Sequence, residues 1–204
     1  MFDNIVMIRQ ADGGLYVRCE TEEYNVLWPV LEDYLGLRVD LASIYSALSE
    51  DHRLKTAISR YRGMRILRQD PWECLISFIC SAASNIRRIT RNIESLCEVY
   101  GTPLGSAPTT RNAFPTPYEL SSAGERRIRE LGLGYRAKYI SETAKLIADG
   151  FVDLPSLRNK SYEYTLEKLT ALQGIGDKVA NCIMLFSLDK LEAFPVDVWI
   201  HRAL

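Results

Sequence analysis

Two residues in the last third of the chain have the types and surroundings for covalent chemistry. They are Lys178, in Gly174-Ile175-Gly176-Asp177-Lys178-Val179-Ala180, and Asp197, in Pro195-Val196-Asp197. A lysine amine attacks electrophilic carbon and forms imines, and a carboxylate stabilises positive charge developing beside it. Gly174 and Gly176 leave the backbone bare ahead of a helix whose first N–H groups lack intrahelical partners and carry the positive end of the dipole. A phosphate fits there. Cys182, four residues after Lys178, shares its helix face. Taken singly, each feature also has a plain structural reading: Gly-x-Gly as a tight turn, Lys178 as a solvated lysine, Asp197 as an N-cap and Cys182 as a small buried hydrophobe.

The elements around these residues are helical. Tyr162, Leu166 and Leu169 recur at helical spacing before the glycines, and Val179, Ile183 and Phe186 after them, which predicts a helix-hairpin-helix. Upstream, Asp70 caps a helix opened by Pro71, and the apolar run Trp72–Cys80 suits a central buried helix. Ser81-Ala82-Ala83-Ser84-Asn85 interrupts it before a basic helix, Ile86–Tyr100. Residues 101–117 read as a surface loop, Pro117–Leu133 as a helix reaching the Gly132-Leu133-Gly134 turn, and Tyr139–Asp149 as another. At the N-terminus, Asn4–Gln10 and Leu15–Glu20 form a hairpin across Ala11-Asp12-Gly13-Gly14, followed by helices at Asn25–Leu35 and Leu41–Tyr61. The fold class is mainly α with a small N-terminal antiparallel β portion.

The motif Gly174–Ala180 followed by Pro195-Val196-Asp197 resembles the helix-hairpin-helix (HhH-GPD) DNA glycosylase superfamily. Ser77–Ile86 and, nearly letter for letter, Leu131-Gly132-Leu133-Gly134-Tyr135-Arg136-Ala137-Lys138-Tyr139 are similar to its 8-oxoguanine glycosylase and lyase branch. The resemblance implies catalysis by Lys178 and Asp197, a base pocket lined by Cys182 in a thiolate–ammonium dipole, and DNA-phosphate binding at Gly174, Gly176 and Val179. Duplex interrogation and recognition of the opposite base fall to Ser84, Asn85, Arg88, Tyr135 and Arg136. A structural cation held by the main-chain carbonyls of Thr170, Leu172 and Ile175 is implied as a candidate, and no other cofactor. Ala83 departs from the pattern, because better-known members carry an asparagine that bonds the orphan cytosine. Trp199 stands where those members often carry a phosphate-contacting histidine, and that role is not transferred to His201.

The activity implied is excision of 8-oxoguanine, and of formamidopyrimidine, from duplex DNA through a lysine imine, then β-elimination at the abasic site. The partner is damaged double-stranded DNA and the protein a monomer. The domains implied are residues 1–68, a remnant of the N-terminal α+β domain, and residues 69–204, a helical catalytic domain incomplete at its C-terminus. Family members continue in both directions with strands and helices that wall the base pocket. Two other readings compete: an endonuclease III-like glycosylase, which requires an iron–sulfur cysteine cluster downstream, and a non-catalytic hairpin that grips phosphates.

Composition bounds these readings. The chain has 204 residues, 47% of them hydrophobic, enough for a substantial core. A net charge of −1 does not announce a nucleic-acid protein, because a non-specific polyanion binder is usually basic overall, but positive potential can be concentrated locally: Arg87, Arg88 and Arg91; Arg126, Arg127 and Arg129; Arg136 and Lys138. Each cluster alone also reads as a solvated helix face. Five scattered cysteines with no C-x-x-C pair fit neither a disulfide framework nor a side-chain zinc site, which points to a reduced, intracellular setting beside DNA. No run of apolar residues reaches the roughly 20 needed to span a bilayer.

Overall fold

A computed structural model describes residues 5–11, 13–19, 24–105 and 110–203. Strand β1 (Val6–Ala11) pairs antiparallel with β2 (Gly14–Cys19), with Ala11 opposite Gly14 and Gly13 at a φ of 82° in the turn. The expected strand ends at Asn4 and Glu20, and Asp12 in the turn, lie outside the described residues. Glu23–Gln69 form one compact unit; Asp70–Leu204, with the N-terminal hairpin, form the other.

Within the smaller unit, α1 spans Tyr24–Tyr34. The stretch expected as one helix from Leu41 to Tyr61 is two, α2 (Leu41–Leu48) and α3 (His52–Arg60). Asp51 causes the break: its side chain accepts from the Arg53 N–H at 2.7 Å and restarts the helix as an N-cap. Tyr45 then accepts from the Gly63 N–H at 2.7 Å and ties α2 to the segment that follows α3.

The larger unit is built around α4 (Pro71–Ser81), capped by Asp70 through the Trp72 and Glu73 N–H groups and opened by Pro71. Leu75, Ile76 and Ile79 are completely buried, each worth about 1.5–3 kcal/mol of hydrophobic stabilisation. Helix α4 packs against α5 (Ile86–Tyr100), α7 (Arg136–Ala148) and α9 (Asp177–Ser187), which makes it the central helix its apolar run predicts. The loop after α5 contains a two-residue antiparallel pair, β3 (Pro103–Leu104) with β4 (Arg111–Asn112).

Helix α6 (Pro117–Ile128) begins with a capping box, in which Thr116 and Glu119 satisfy each other's backbone N–H groups. It ends before the expected Leu133. Gly124 interrupts it with φ 72° and ψ 164°, and residues 129–133 form a wider π turn that carries Gly132 at φ 85°. These departures end the chain's run along α6 and turn it into α7. Helices α8 (Tyr162–Thr170), α9 and α10 (Val198–Ala203) complete the unit. Leu204 lies outside the described residues.

Candidate active site and nucleic-acid interface

Helices α8 and α9 flank the glycine turn as the apolar spacing requires. Gly174 has a φ of 82°, and a Cβ there would lie 2.8 Å from Tyr139 Cγ and 2.9 Å from Cε2, so glycine is required both by backbone and by space. Gly176 is extended (φ −98°, ψ 178°) and caps α9 without a side chain, and a Cβ there would meet nothing. The first bond of α9 runs from the Ala180 N–H to the Gly176 carbonyl at 2.9 Å. The N–H groups of Asp177, Lys178 and Val179 therefore precede the ladder, at the positive end of the helix. Buried Asn181 stiffens the hairpin by donating to the Asp177 carbonyl at 2.8 Å and accepting from the Tyr162 hydroxyl at 2.9 Å.

Lys178 is exposed in the first turn of α9. Its Nζ lies 5.4 Å from the ring centroid of Phe78, which stacks on Phe186 at 6.0 Å. Cys182, one turn further along α9, is 4% exposed. Burial pushes the Cys182 thiol up; the Lys178 charge pulls it down, and the Asp197 carboxylate pushes it further up. The net direction is upward, which favours the thiol and not the thiolate that the resemblance implies. The Lys178 and Asp197 charges thus bear on the Cys182 thiol in opposite directions.

Asp197 Oδ1 accepts from the Trp199 and Ile200 N–H groups, each at 2.9 Å, and so caps α10. Its Oδ2 has no partner among the described residues. Trp199 is 70% exposed, with Arg202 over its ring at 5.3 Å, and His201 is exposed.

The turn between α4 and α5 meets the start of α7. Ala83 has a φ of 45°, an unusual value for a residue with a Cβ. The Tyr135 hydroxyl donates to the Ala82 carbonyl at 3.2 Å while its ring stays nearly half exposed. Arg136 is 2% exposed: Nε donates to the Ala82 carbonyl at 2.9 Å, Nη2 to the same carbonyl and to that of Ala83 at 3.0 Å, and Nη1 to that of Leu133 at 3.5 Å. In this conformation the guanidinium binds the protein's own main chain. Asn85 spends Oδ1 on the Arg88 N–H at 3.1 Å as the cap of α5, Ser84 Oγ is buried without a partner among the described residues, and the Arg88 side chain is exposed.

Phe78 and Tyr139 bear on the site although their sequence context assigns them no role. A signal exists for Phe78: Cys74 and Phe78 on α4 repeat the four-residue spacing of Cys182 and Phe186 on α9, as expected of two faces that meet. At the hairpin, the Leu172 carbonyl accepts from the Ile175 N–H at 3.2 Å. Among the described residues no cluster of His, Cys, Asp or Glu could hold a metal ion, and no helix is long and apolar enough to cross a membrane.

Comparison with known proteins shows the family. Residues 76–204 match the HhH-GPD superfamily of base excision DNA repair proteins, and residues 1–75 the N-terminal domain of 8-oxoguanine DNA glycosylase. A probable N-glycosylase/DNA lyase of Methanothermobacter thermautotrophicus is 34% identical over 97% of this chain and 69% of its own length. The N-glycosylase/DNA lyase OGG1 of Arabidopsis thaliana is 38% identical over 96% of this chain, which spans only 56% of that relative. The crystal structure of Clostridium acetobutylicum 8-oxoguanine glycosylase/lyase, in complex with double-stranded DNA containing cytosine opposite 8-oxoguanine, superposes with a TM-score of 0.88. It is 35% identical and the match covers 97% of this chain and 68% of that one.

Proposed function

The chain belongs to the HhH-GPD superfamily of base excision DNA repair proteins, and from that premise we propose that it excises 8-oxoguanine from duplex DNA and then cleaves the strand at the abasic site. What supports this reading is that Lys178 stands in the first turn of α9, at the helix's open N-terminus, with Cys182 one turn further on and the Asp197 charge bearing on the same thiol.

A damaged base inside a duplex is out of reach, so the nucleotide must leave the stack. Tyr135 and the turn at Ala83, Ser84 and Asn85 stand where the vacated space would be filled, with Arg88 beside them for the opposite base. Gly174, Gly176 and Val179 offer main-chain N–H groups to the phosphates that flank the flipped nucleotide. The free-amine form of Lys178 attacks C1′, the C1′–N9 bond breaks, and the base leaves with a proton. Opening of the sugar gives an imine, and loss of a proton from C2′ expels the 3′ phosphate by β-elimination. The Asp197 carboxylate stabilises the positive charge that develops on the sugar, through the Oδ2 that capping leaves available. Cys182 contributes a thiol to the floor of the base pocket.

The carbonyls of Thr170, Leu172 and Ile175 are neutral oxygen donors that suit a hard cation, and one lone pair at Leu172 is already used by Ile175. An ion there would fix the hairpin turn and supply no reaction chemistry. The chain is read as two domains by descent, residues 1–68 and 69–204, although the N-terminal hairpin clusters with the second of them as a compact unit. The protein acts as a monomer, wherever its DNA resides.

Borohydride trapping tests the reading. With a duplex carrying 8-oxoguanine opposite cytosine, the imine is reduced to a permanent protein–DNA bond, and Lys178→Gln abolishes it. A protein that binds this duplex yet never traps would be a phosphate-gripping module and not a lyase.

A further inference from the structure

A cleft of about 730 Å³, whose walls do not include Lys178, runs between α5 and the π turn at residues 129–133. Its walls include Arg87, Arg88, Arg91, Asn92, Ser95 and Glu130. The three arginines are neighbours on one helix: Arg87 and Arg91 stand four residues apart, and Arg88 and Arg91 three. Like charges at that spacing repel each other unless something negative lies between them. Among the described residues none of these guanidiniums pairs with a carboxylate or donates a hydrogen bond. Glu130, the acid in the wall, is already engaged by Arg126 Nε at 3.3 Å.

Asn92 adds an independent sign. It lines the cleft, is 3% exposed, and its Nδ2 is buried with no hydrogen-bond partner among the described residues. A buried amide donor left unpaired is a cost that an apolar residue at the same position would avoid. Three guanidiniums, an unpaired amide and the Ser95 hydroxyl all donate, so the complementary ligand is an anion rich in acceptors. The volume exceeds what a single oxyanion fills and suits a stretch of polymer backbone.

Position identifies the polymer. One wall begins at Asn85, the end of the turn that Arg136 holds, and the other, Leu131–Gly132, leads directly into Tyr135. We propose that this cleft is a phosphodiester subsite that takes the backbone of the strand facing the damaged base, with Arg87 and Arg91 neutralising phosphates and Asn92 donating to a phosphate oxygen. The assignment rests on the DNA-excision reading, which places Arg88 and the turn opposite the vacated nucleotide.

The test measures duplex affinity against salt for the full chain carrying Lys178→Gln, which prevents turnover, alone and with Arg91→Gln or Asn92→Leu. Arg91→Gln is expected to weaken binding equally for all sequences and to make the slope of log K against log salt shallower by about one. Asn92→Leu should weaken binding severalfold while keeping or raising the melting temperature, which separates a lost donor from a damaged fold. In a second arm, single phosphates of either strand are replaced by neutral methylphosphonates. At one or two positions of the facing strand the replacement should weaken the parent severalfold, and Arg91→Gln should then add nothing. Unchanged slopes and affinities, or non-additivity confined to the damaged strand, would overturn the subsite. So would inorganic phosphate or pyrophosphate stabilising the parent but not Arg91→Gln while duplex binding is unaffected, because the cleft would then be a small-anion site. Failure of the excision reading looks different: the unsubstituted chain would not trap with borohydride at all.

Discussion

The ring of Tyr139 fills the space into which any side chain at Gly174 would project, with Cγ 2.8 Å and Cε2 2.9 Å from the position of a Cβ. Tyr139 also meets Tyr135 edge to face at 5.8 Å, and Tyr135 touches the Ala82 carbonyl. One aromatic pair thus connects the turn before α5 to the hairpin that carries Lys178. Gly174→Ala must shift that ring and hold alanine at a φ of 82°, at a combined cost of about 2–5 kcal/mol. Urea unfolding should show a loss of this size; a loss below about 1 kcal/mol would mean that the ring moves aside freely.

Gly176→Ala should behave in the opposite way. A Cβ there meets no protein atom, and the residue is extended, so the change costs only about 0.5–1 kcal/mol as a poorer N-cap. The methyl group would enter the space in front of the Asp177–Val179 N–H groups, where a phosphate belongs. Duplex affinity is therefore expected to fall about tenfold or more, an effect of at least ~1.4 kcal/mol, with the fold nearly intact. Equal affinity for the two proteins would show that phosphate does not use these N–H groups.

Arg136→Met keeps the stem of the side chain and removes its donors. The carbonyls of Ala82 and Ala83 would lose a buried charged partner, at a cost of about 2–4 kcal/mol, and the turn would loosen. Selectivity for cytosine opposite the lesion should then decline together with stability, because the residue positions the turn. Thermal unfolding and trapping on duplexes with cytosine or adenine opposite 8-oxoguanine would measure both. Loss of selectivity at unchanged stability would instead indicate that Arg136 leaves the core to read the base itself.

Local chemistry made much of this legible. Asp70-Pro71 opens α4 and Gly101 follows α5, because caps and breakers act through their immediate neighbours. The four-residue spacing of Lys178 and Cys182 likewise put them on one face before any coordinates. What escaped depends on distant partners. The break at Asp51 turns on one carboxylate competing for a backbone N–H, and the π turn after α6 on glycines whose φ no periodicity reveals. Arg136 follows an exposed tyrosine and reads as a surface cation, yet carbonyls 53 and 54 residues upstream draw it inward. At Cys182, burial and the neighbouring lysine push the thiol in opposite directions, a balance that four-residue spacing along a helix does not reveal.

The same balance of burial against charge predicts an alkaline weakness. Cys74 and Cys80 are completely buried, and burial pushes both thiols from an ordinary 9.0 up to about 12; the Ser187 hydrogen bond at Cys74 and the Arg136 charge at Cys80 offset it only in part. The folded protein therefore holds a proton that the unfolded chain releases. Stability from each thiol is complete below pH 9 and is lost between pH 9 and about 12, at ~1.4 kcal/mol per pH unit. Cys80→Ala removes one of these groups. At pH 7 it should cost about 1 kcal/mol for the small cavity, and that penalty should shrink, then reverse, as pH rises through 10 and 11 by about 1.4 kcal/mol per unit. Urea unfolding of both proteins from pH 7 to 10.5 makes the comparison. Parallel stability curves would mean that Cys80 ionises as readily in the folded protein as in the unfolded chain.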